Sequence, residues 1–253
     1  MLVPMNGVEL HFHALHGVDD GPATIDESLE LLWGAAAEGT GIVVATPHVR
    51  TDFLTDVSDL TDRVRELQFA VDWAGLPVRL RRGGELGHDM VGRLSQGELE
   101  TIAQGPPHAR WLLVETPFEG IDWGFHAATD ELRDRGFGVV IAHPERSADA
   151  ILYGAEGLRR ELERGAVGQV NAQSITGAHG AAARAAAFEL ISEGLLRAVS
   201  SDAHGPTRPA LLGEAGAHLV EGGIPATVCK GLTGGCPRRL LARGLPSTAL
   251  HVA

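Results

Sequence analysis

The stretch that begins at His11 has the sequence HFHALHGVDDG and directly follows a short predicted strand over residues 8–10. His11 and His13 are two residues apart, and because side chains alternate between the faces of a strand, both imidazoles should point the same way. Asp19 and Asp20 follow in the next turn. Imidazole and carboxylate together suit zinc, manganese or iron better than calcium or magnesium. Alone, such a histidine pair is more often structural, so the rest of the chain decides whether it binds metal.

Composition and charge restrict the class of protein. The 253 residues are 44% hydrophobic, enough for one large core, and show no linker, so we expect a single domain over residues 1–253. The net charge of −12 and the absence of a basic run argue against nucleic acid or an anionic membrane as partner. No apolar run reaches the roughly 18 residues that span a membrane, and the N-terminus lacks a signal-peptide pattern. The sequence therefore predicts a cytoplasmic enzyme or binding domain.

Strands and helices alternate along the chain. Apolar runs predict strands over residues 8–10, 41–46, 78–82, 111–114, 138–142, 167–170 and 196–199. Helical spacing predicts helices over about 25–38, 60–74, 126–135, 158–164 and 180–193, with two more from about Pro209 and Pro237. This alternation favours right-handed βαβ units and a parallel sheet. Closed on itself, the sheet would form an α/β TIM-like barrel with seven strands, a (β/α)7 fold.

The first helix carries its own start signal. Thr24 and Glu27 fit a capping box, in which each side chain accepts a hydrogen bond from the other residue's backbone N–H. The apolar residues that repeat at helical spacing predict the buried face: Ile25, Leu29, Leu32, Trp33 and Ala36.

The predicted strands share a chemical feature at their carboxyl ends, where TIM barrels gather their functional residues. The residues placed there are His11, His13, His48, Glu85, Glu115, His143, Asp202 and His204. Each could be a structural turn or cap residue, but strand ends without function more often carry Gly, Asn or Ser. With Asp20 there are nine candidate ligands, more than the four or so that one zinc ion uses. Two or three divalent ions are therefore expected, with at least one bridging carboxylate.

The order of motifs along the chain resembles a known superfamily. HxH, GxDDG, ATPH, GGE, ETP, AHPER and SDAH occur in the order seen in the PHP (polymerase and histidinol phosphatase) superfamily. Within it, the opening and the segment QVNAQSITG over residues 169–177 are most similar to the CpsB/CapC/YwqE-type bacterial tyrosine phosphatases of capsule loci. The resemblance covers roughly residues 8–242 and is carried by all the motifs together.

The resemblance implies a distorted seven-stranded barrel and a site for three ions, usually manganese, iron or zinc. The implied ion sites are His11, His13, Glu85 and Asp202; Glu85, Glu115 and His143; and Asp20, His48 and His204. Arg146 and Arg208 match arginines that contact phosphate, which a guanidinium meets in bidentate fashion. Glu9 stands where the family usually has Asp, and His16 where proline is common.

The implied activity is metal-dependent hydrolysis of phosphotyrosine, with hydroxide derived from bound water attacking phosphorus in line. No thiol nucleophile is expected, since Cys229 and Cys236 lack the Cys-x5-Arg arrangement. The implied substrate is a phosphotyrosine protein, a bacterial tyrosine kinase that controls capsule or exopolysaccharide synthesis. Two alternatives are a phosphatase for a small ester such as histidinol phosphate and a non-enzymatic interaction module. Whether the chain forms a homo-oligomer is left open.

Overall fold

The computed structural model describes residues 5–247. Its strands are β1 (Gly7–Glu9), β2 (Thr40–Ala45), β3 (His48–Val49), β4 (Arg79–Arg82), β5 (Glu85–Leu86), β6 (Trp111–Glu115), β7 (Gly138–Ala142), β8 (Val167–Asn171) and β9 (Leu196–Ser200). Its α-helices are α1 (Ile25–Ala37), α2 (Leu60–Trp73), α3 (Gln96–Ile102), α4 (Trp123–Asp134), α5 (Ala148–Leu152), α6 (Glu156–Glu163), α7 (Ala172–Thr176), α8 (Ala181–Ser192), α9 (Leu212–Glu221), α10 (Ala226–Lys230) and α11 (Cys236–Arg243). All paired neighbouring strands run parallel, in the orders β1-β2-β4 and β3-β5-β6-β7-β8-β9.

Two of the seven predicted strands are interrupted rather than continuous. Pro47 follows Thr46 between β2 and β3, and a proline cannot donate to a ladder hydrogen bond. Gly83 and Gly84 separate β4 from β5; a Cβ on Gly84 would lie only 3.0 Å from side chains on either side. At each break the chain passes from one sheet to the other. β2 and β4 pair in the three-stranded sheet, and β3 and β5 pair in the six-stranded sheet. The interruptions account for nine observed strands where the sequence predicts seven.

The first and last strands meet beyond their regular ends. Phe12 and Ala203 form a parallel bridge, and the backbone N–H of His13 donates to the Ala203 carbonyl over 2.9 Å. The N–H of Asp202 donates to the carbonyl of His11 over 3.0 Å. This contact brings the residues that follow β1 and β9 side by side.

Alternate residues of the strands fill the interior. Val8, Val44, Leu113 and Val140 belong to one buried cluster, together with Trp111. The Trp111 indole N–H donates to the carbonyl of Leu240 in α11 over 3.0 Å, so α11 packs against this interior cluster. A second, larger cluster lies between the strands and the surrounding helices. The carboxyl ends of the strands are thereby left for polar side chains.

The long helices were predicted to within a few residues, but several short ones, α3, α5, α7 and α10, were not. Thr24 caps α1 as predicted, whereas Glu27 accepts from Ala23, one residue earlier than a capping box requires. The predicted burial of Trp33 is wrong: its side chain is 53% exposed, and Leu31 is buried instead. No helix within residues 5–247 is both long and apolar enough to cross a membrane.

Glu9 fastens β1 to the residues that follow β9. Its carboxylate, fully buried, accepts hydrogen bonds from the Ser201 backbone N–H (2.7 Å) and hydroxyl (2.5 Å). The same hydroxyl oxygen accepts from the Leu211 N–H over 2.9 Å. Burial raises the pKa of Glu9 to about 7, although the two bonds from Ser201 act to lower it.

We expect Ser201→Ala to lower the free energy of unfolding by about 1–3 kcal/mol, because the buried Glu9 carboxylate loses one of its two hydrogen bonds and the Leu211 N–H loses its acceptor. The exposed Ser192→Ala serves as the control and should change it by less than about 0.5 kcal/mol. Urea unfolding followed by circular dichroism measures both. Equal stability of the two variants would contradict this role for Ser201.

Candidate metal centre

The parallel strands bring all nine candidate ligands to one place. Donor atoms lying within 4.8 Å of one another form three groups: His11, His13, Glu85 and Asp202; His48, Glu85 and Glu115; and His13, Asp20, His48 and His204. The first group has the composition that the family resemblance implies. The third contains the three implied residues and also His13. Their role as ligands stays a prediction.

The first group is the most deeply buried. The Nε2 atom of His11 lies 3.1 Å from Glu85 Oε2 and 3.2 Å from Asp202 Oδ1. The Nε2 atom of His13 lies 3.4 Å and 3.3 Å from the same two oxygens. Two imidazole nitrogens and two carboxylate oxygens thus face a common centre.

The second group differs from the expected one by a single residue. His48, with Nδ1 2.8 Å from Glu85 Oε2, joins Glu85 and Glu115 where the resemblance implies His143. The Nε2 atom of His143 instead lies 2.9 Å from the other oxygen of Glu85, Oε1. His143 therefore adjoins the cluster through Glu85.

The third group is the one nearest to solvent. Asp20 is exposed, and its Oδ1 lies 3.2 Å from His204 Nε2 and 3.5 Å from His48 Nε2. The rings of His13 and His204 stack with centroids 3.6 Å apart. A ligand can therefore approach the cluster from solvent on this side.

Unpartnered polar atoms test whether these residues fit metal ions. Among residues 5–247, four atoms of the cluster are buried without a hydrogen-bond partner: His48 Nδ1, Glu85 Oε2, Asp202 Oδ1 and His204 Nε2. Leaving a buried polar group unsatisfied is costly. Coordination of divalent cations would satisfy all four, and the mixed nitrogen and oxygen donors suit transition ions. The residues present therefore fit a divalent metal centre.

Hydrogen bonds made by the Nδ1 atoms of three histidines determine which ring nitrogen can bind metal. His204 Nδ1 donates to the Asp202 carbonyl over 2.9 Å, and His13 Nδ1 donates to Asp19 Oδ2 over 2.7 Å. His11 Nδ1 lies 3.1 Å from Gln169 Oε1, whose amide nitrogen is already used on a backbone carbonyl. In each ring, once neutral, Nε2 carries the lone pair that an ion would take.

Asp19 and Gln169 orient histidines of the cluster, a role that sequence reasoning did not assign to them. Both lie in segments that the resemblance singled out, and Asp19 was considered only as one of two carboxylates near the histidine pair. Asp19 also accepts from the backbone N–H groups of His48 (3.0 Å) and Gly21 (3.0 Å). Their places in the GVDDG and QVNAQSITG segments were the available signal.

Burial and the mutual charges of carboxylates and imidazoles set the protonation of the cluster. Burial raises the pKa of Glu85, but the nearby imidazoles of His11 and His48 outweigh it and hold that pKa well below its usual range. The same holds for Asp19. Burial raises its pKa, but the hydrogen bond from His13 outweighs burial and lowers the pKa to about 2. Burial and the charge of His13 lower the pKa of His204 to about 2. At neutral pH these carboxylates are ionised and His204 is neutral, as metal binding requires; for His13, burial lowers the pKa, but the surrounding carboxylates outweigh burial and raise the pKa, so an ion would displace a proton there.

Three arginines surround the cluster. Arg208 donates to Asp202 Oδ2 over 2.8 Å, and Arg146 donates to the same oxygen over 3.4 Å. Both are the arginines that the family resemblance implies to contact phosphate. Arg50 was not predicted: its Nη1 donates to both oxygens of Glu115, over 2.9 and 2.8 Å. The site thus combines buried acceptors with cationic groups at its edge.

Comparison with known proteins assigns the family. The family model described as capsular polysaccharide synthesis, CpsB/CapC, matches residues 7–239. The chain belongs to the CpsB/CapC family. This confirms the resemblance seen in the motifs and places all nine candidate ligands within the matched region.

Individual relatives of this CpsB/CapC-family chain cover most of its length. CapC of Staphylococcus aureus is 32% identical over 81% of this chain and 80% of its own length. Tyrosine-protein phosphatase YwqE of Bacillus subtilis is 25% identical over 78% of this chain and 77% of its own.

Solved structures share the fold. One from a study of YwqE from Bacillus subtilis and CpsB from Streptococcus pneumoniae, metal-dependent tyrosine phosphatases, superposes with a TM-score of 0.82 at 24% identity, covering 92% of this chain and 94% of that one. The phosphotriesterase homology protein of Escherichia coli, with phosphate in its active site, gives 0.61 at 14% identity, covering 93% and 98%. The predicted α/β barrel class is confirmed.

We expect Asp19→Asn to weaken metal binding by about 10- to 100-fold, because residues that orient a ligand imidazole have effects of that size. Asp134→Asn, an equal charge change at the exposed end of α4, is the control. Isothermal titration of metal-free protein with Mn²⁺ or Zn²⁺ measures the affinity. Equal affinities for Asp19→Asn and unaltered protein would refute the positioning role of Asp19.

Proposed function

We propose that this chain is a metal-dependent phosphomonoester hydrolase that acts as a tyrosine-protein phosphatase. The observation that carries the proposal is a cluster of buried acceptor atoms without hydrogen-bond partners, bordered by Arg146 and Arg208. Relatives that cover about four fifths of the chain are named tyrosine-protein phosphatases, which supports the reaction class.

The cofactor we propose is two or three divalent transition ions, manganese, iron or zinc. They would be held by His11, His13, Asp20, His48, Glu85, Glu115, His143, Asp202 and His204. Such ions supply Lewis-acid charge, which makes water a stronger acid and neutralises phosphoryl oxygens. The grouping of donor atoms supports more than one ion, since Glu85 belongs to two groups and His13 and His48 to two each.

The protein's own groups bind and orient the phosphate. Arg146 and Arg208 point at Asp202 from the solvent side and are 19% and 28% exposed, so both can reach an incoming anion. A guanidinium offers paired donors to phosphate oxygens and stays charged at all relevant pH values. These arginines would align the ester and stabilise the charge on its oxygens as the bond to the leaving oxygen breaks.

The proposed substrate is a phosphotyrosine protein, a bacterial tyrosine kinase that controls capsule or exopolysaccharide synthesis. The family description, capsular polysaccharide synthesis, supports this setting. A small ester such as histidinol phosphate could use the same metal site, and the names of the relatives favour the protein substrate. Kinetic comparison of a phosphotyrosine peptide with histidinol phosphate on metal-reconstituted protein tests the choice.

Chelation should abolish phosphotyrosine-peptide hydrolysis, and added Mn²⁺ or Zn²⁺ should restore it. Alkylation with iodoacetamide should leave activity within about two-fold of the untreated protein, because Cys229 is buried and no thiol attacks phosphorus. Both treatments are followed by phosphate release. Activity that survives exhaustive chelation, or that alkylation abolishes, would refute the mechanism.

Arg146→Ala and Arg208→Ala should each lower kcat/KM by about 10- to 100-fold, or about 1.5–3 kcal/mol, because each loses charged hydrogen bonds to phosphate. Arg79→Ala, at an exposed position of β4, is the matched control and should stay near the unaltered value. Metal content is measured on the same samples and should not change. If both site variants keep full activity, the arginines do not bind the phosphate.

A further inference from the structure

Two cavities border the cluster on different sides. One, of about 710 Å³, is lined by Asp20, His204 and Arg208 and continues past the carboxylates of Glu27 and Glu30. The other, of about 520 Å³, lies between residues 50–52, which follow β3, and residues 115–119, which begin at the last residue of β6. Both are of the size that small ligands occupy. Each reaches a predicted metal ligand, Asp20 in the first case and Glu115 in the second.

Phe118 is the largest apolar side chain lining the second cavity. It is 61% exposed, although it lies in a segment tied down by a hydrogen bond from the Ala148 N–H to its carbonyl (2.8 Å). Its ring lies under the Arg146 guanidinium, with Cζ 5.1 Å from the ring centroid. A single exposed phenylalanine is ordinary. This one is set apart because it lies between a phosphate-binding arginine and the cavity that reaches Glu115.

We propose that Phe118 binds the aryl ring of the phosphotyrosine side chain in this second cavity and selects aryl over alkyl phosphomonoesters. The inference rests on the proposed function. In phosphotyrosine the ring is bonded directly to the ester oxygen, so a phosphate held by Arg146 places the ring beside the neighbouring Phe118. An alkyl ester has no ring to offer at that point.

The chemistry of the two cavity walls favours this assignment. Aromatic pairs in offset or edge-to-face contact attract each other beyond the effect of apolar burial. The described residues that line the first cavity include no phenylalanine, tyrosine or tryptophan, and the one imidazole among them, that of His204, is already stacked on His13. Phe53, a second exposed phenylalanine, stacks on His48 with centroids 5.0 Å apart and so supports a predicted ligand. Phe118 is therefore the side chain placed to contact the substrate ring.

The test compares two inhibitors, phenylphosphonate and methylphosphonate, which carry a phenyl or a methyl group on the same phosphonate. Their inhibition constants are measured in phosphotyrosine-peptide hydrolysis by metal-reconstituted protein. Phe118→Leu should raise the inhibition constant of phenylphosphonate about three- to ten-fold, the scale of an aromatic pair with its buried area. The constant for methylphosphonate should stay within about two-fold, since its phosphonate contacts are kept. The peptide KM should rise while kcat changes little, because the ring contact exists in both ground and transition states.

Two further variants separate ring contact from indirect effects. Phe118→Trp keeps an aromatic face and should retain the preference for phenylphosphonate, and Phe69→Leu, 71% exposed on α2, should behave as unaltered protein. A rise in both inhibition constants by the same factor in Phe118→Leu would show that Phe118 only positions Arg146 and would overturn the inference. Unchanged constants for both would overturn it as well. Failure of the unaltered protein to hydrolyse the phosphotyrosine peptide would instead contradict the proposed function itself.

Discussion

The site depends on one buried carboxylate, that of Glu85, which is fully enclosed and surrounded by four imidazoles. Three of them, from His11, His13 and His48, face its Oε2, and His143 faces its Oε1. Removing a carboxylate from water is tolerated only when opposite charge or strong hydrogen bonding compensates. Imidazoles alone do so incompletely, since Oε2 has no hydrogen-bond partner within the described residues. Cations at this point would complete the compensation.

The fold is shaped to hold this arrangement. β5 consists of only two residues, and it begins at Glu85 after the Gly83-Gly84 break. His143 directly follows β7, and Asp202 lies two residues beyond the end of β9; their backbones have positive φ angles of 39° and 51°. Non-glycine residues adopt such angles at a cost, which the surrounding structure must outweigh. Both side chains are thereby turned from the strand direction toward the cluster, while the apolar interior below supplies the stability.

Sequence reasoning found the ligand candidates because their signal is local: a His, Asp or Glu directly after an apolar run. The residue pattern alone treated Asp19 and Asp20 alike, and only the family resemblance selected Asp20; the two share one turn but differ in role, since Asp19 orients His13 and Asp20 faces outward. Arg50 was missed because its partner Glu115 is 65 residues away and no motif joins them. Trp33 was misplaced because helical spacing gives the width of an apolar face but not where the barrel meets it.

The central claim is that Glu85 is shared between ions in a site for more than one metal. Elemental analysis of purified, metal-reconstituted protein, with Glu85→Gln analysed in parallel, tests this most directly. The unaltered chain should hold two or three transition ions, and Glu85→Gln at most about one, because losing the shared carboxylate charge weakens two groups at once. One ion or none in the unaltered chain, or equal metal content in both proteins, would contradict the account.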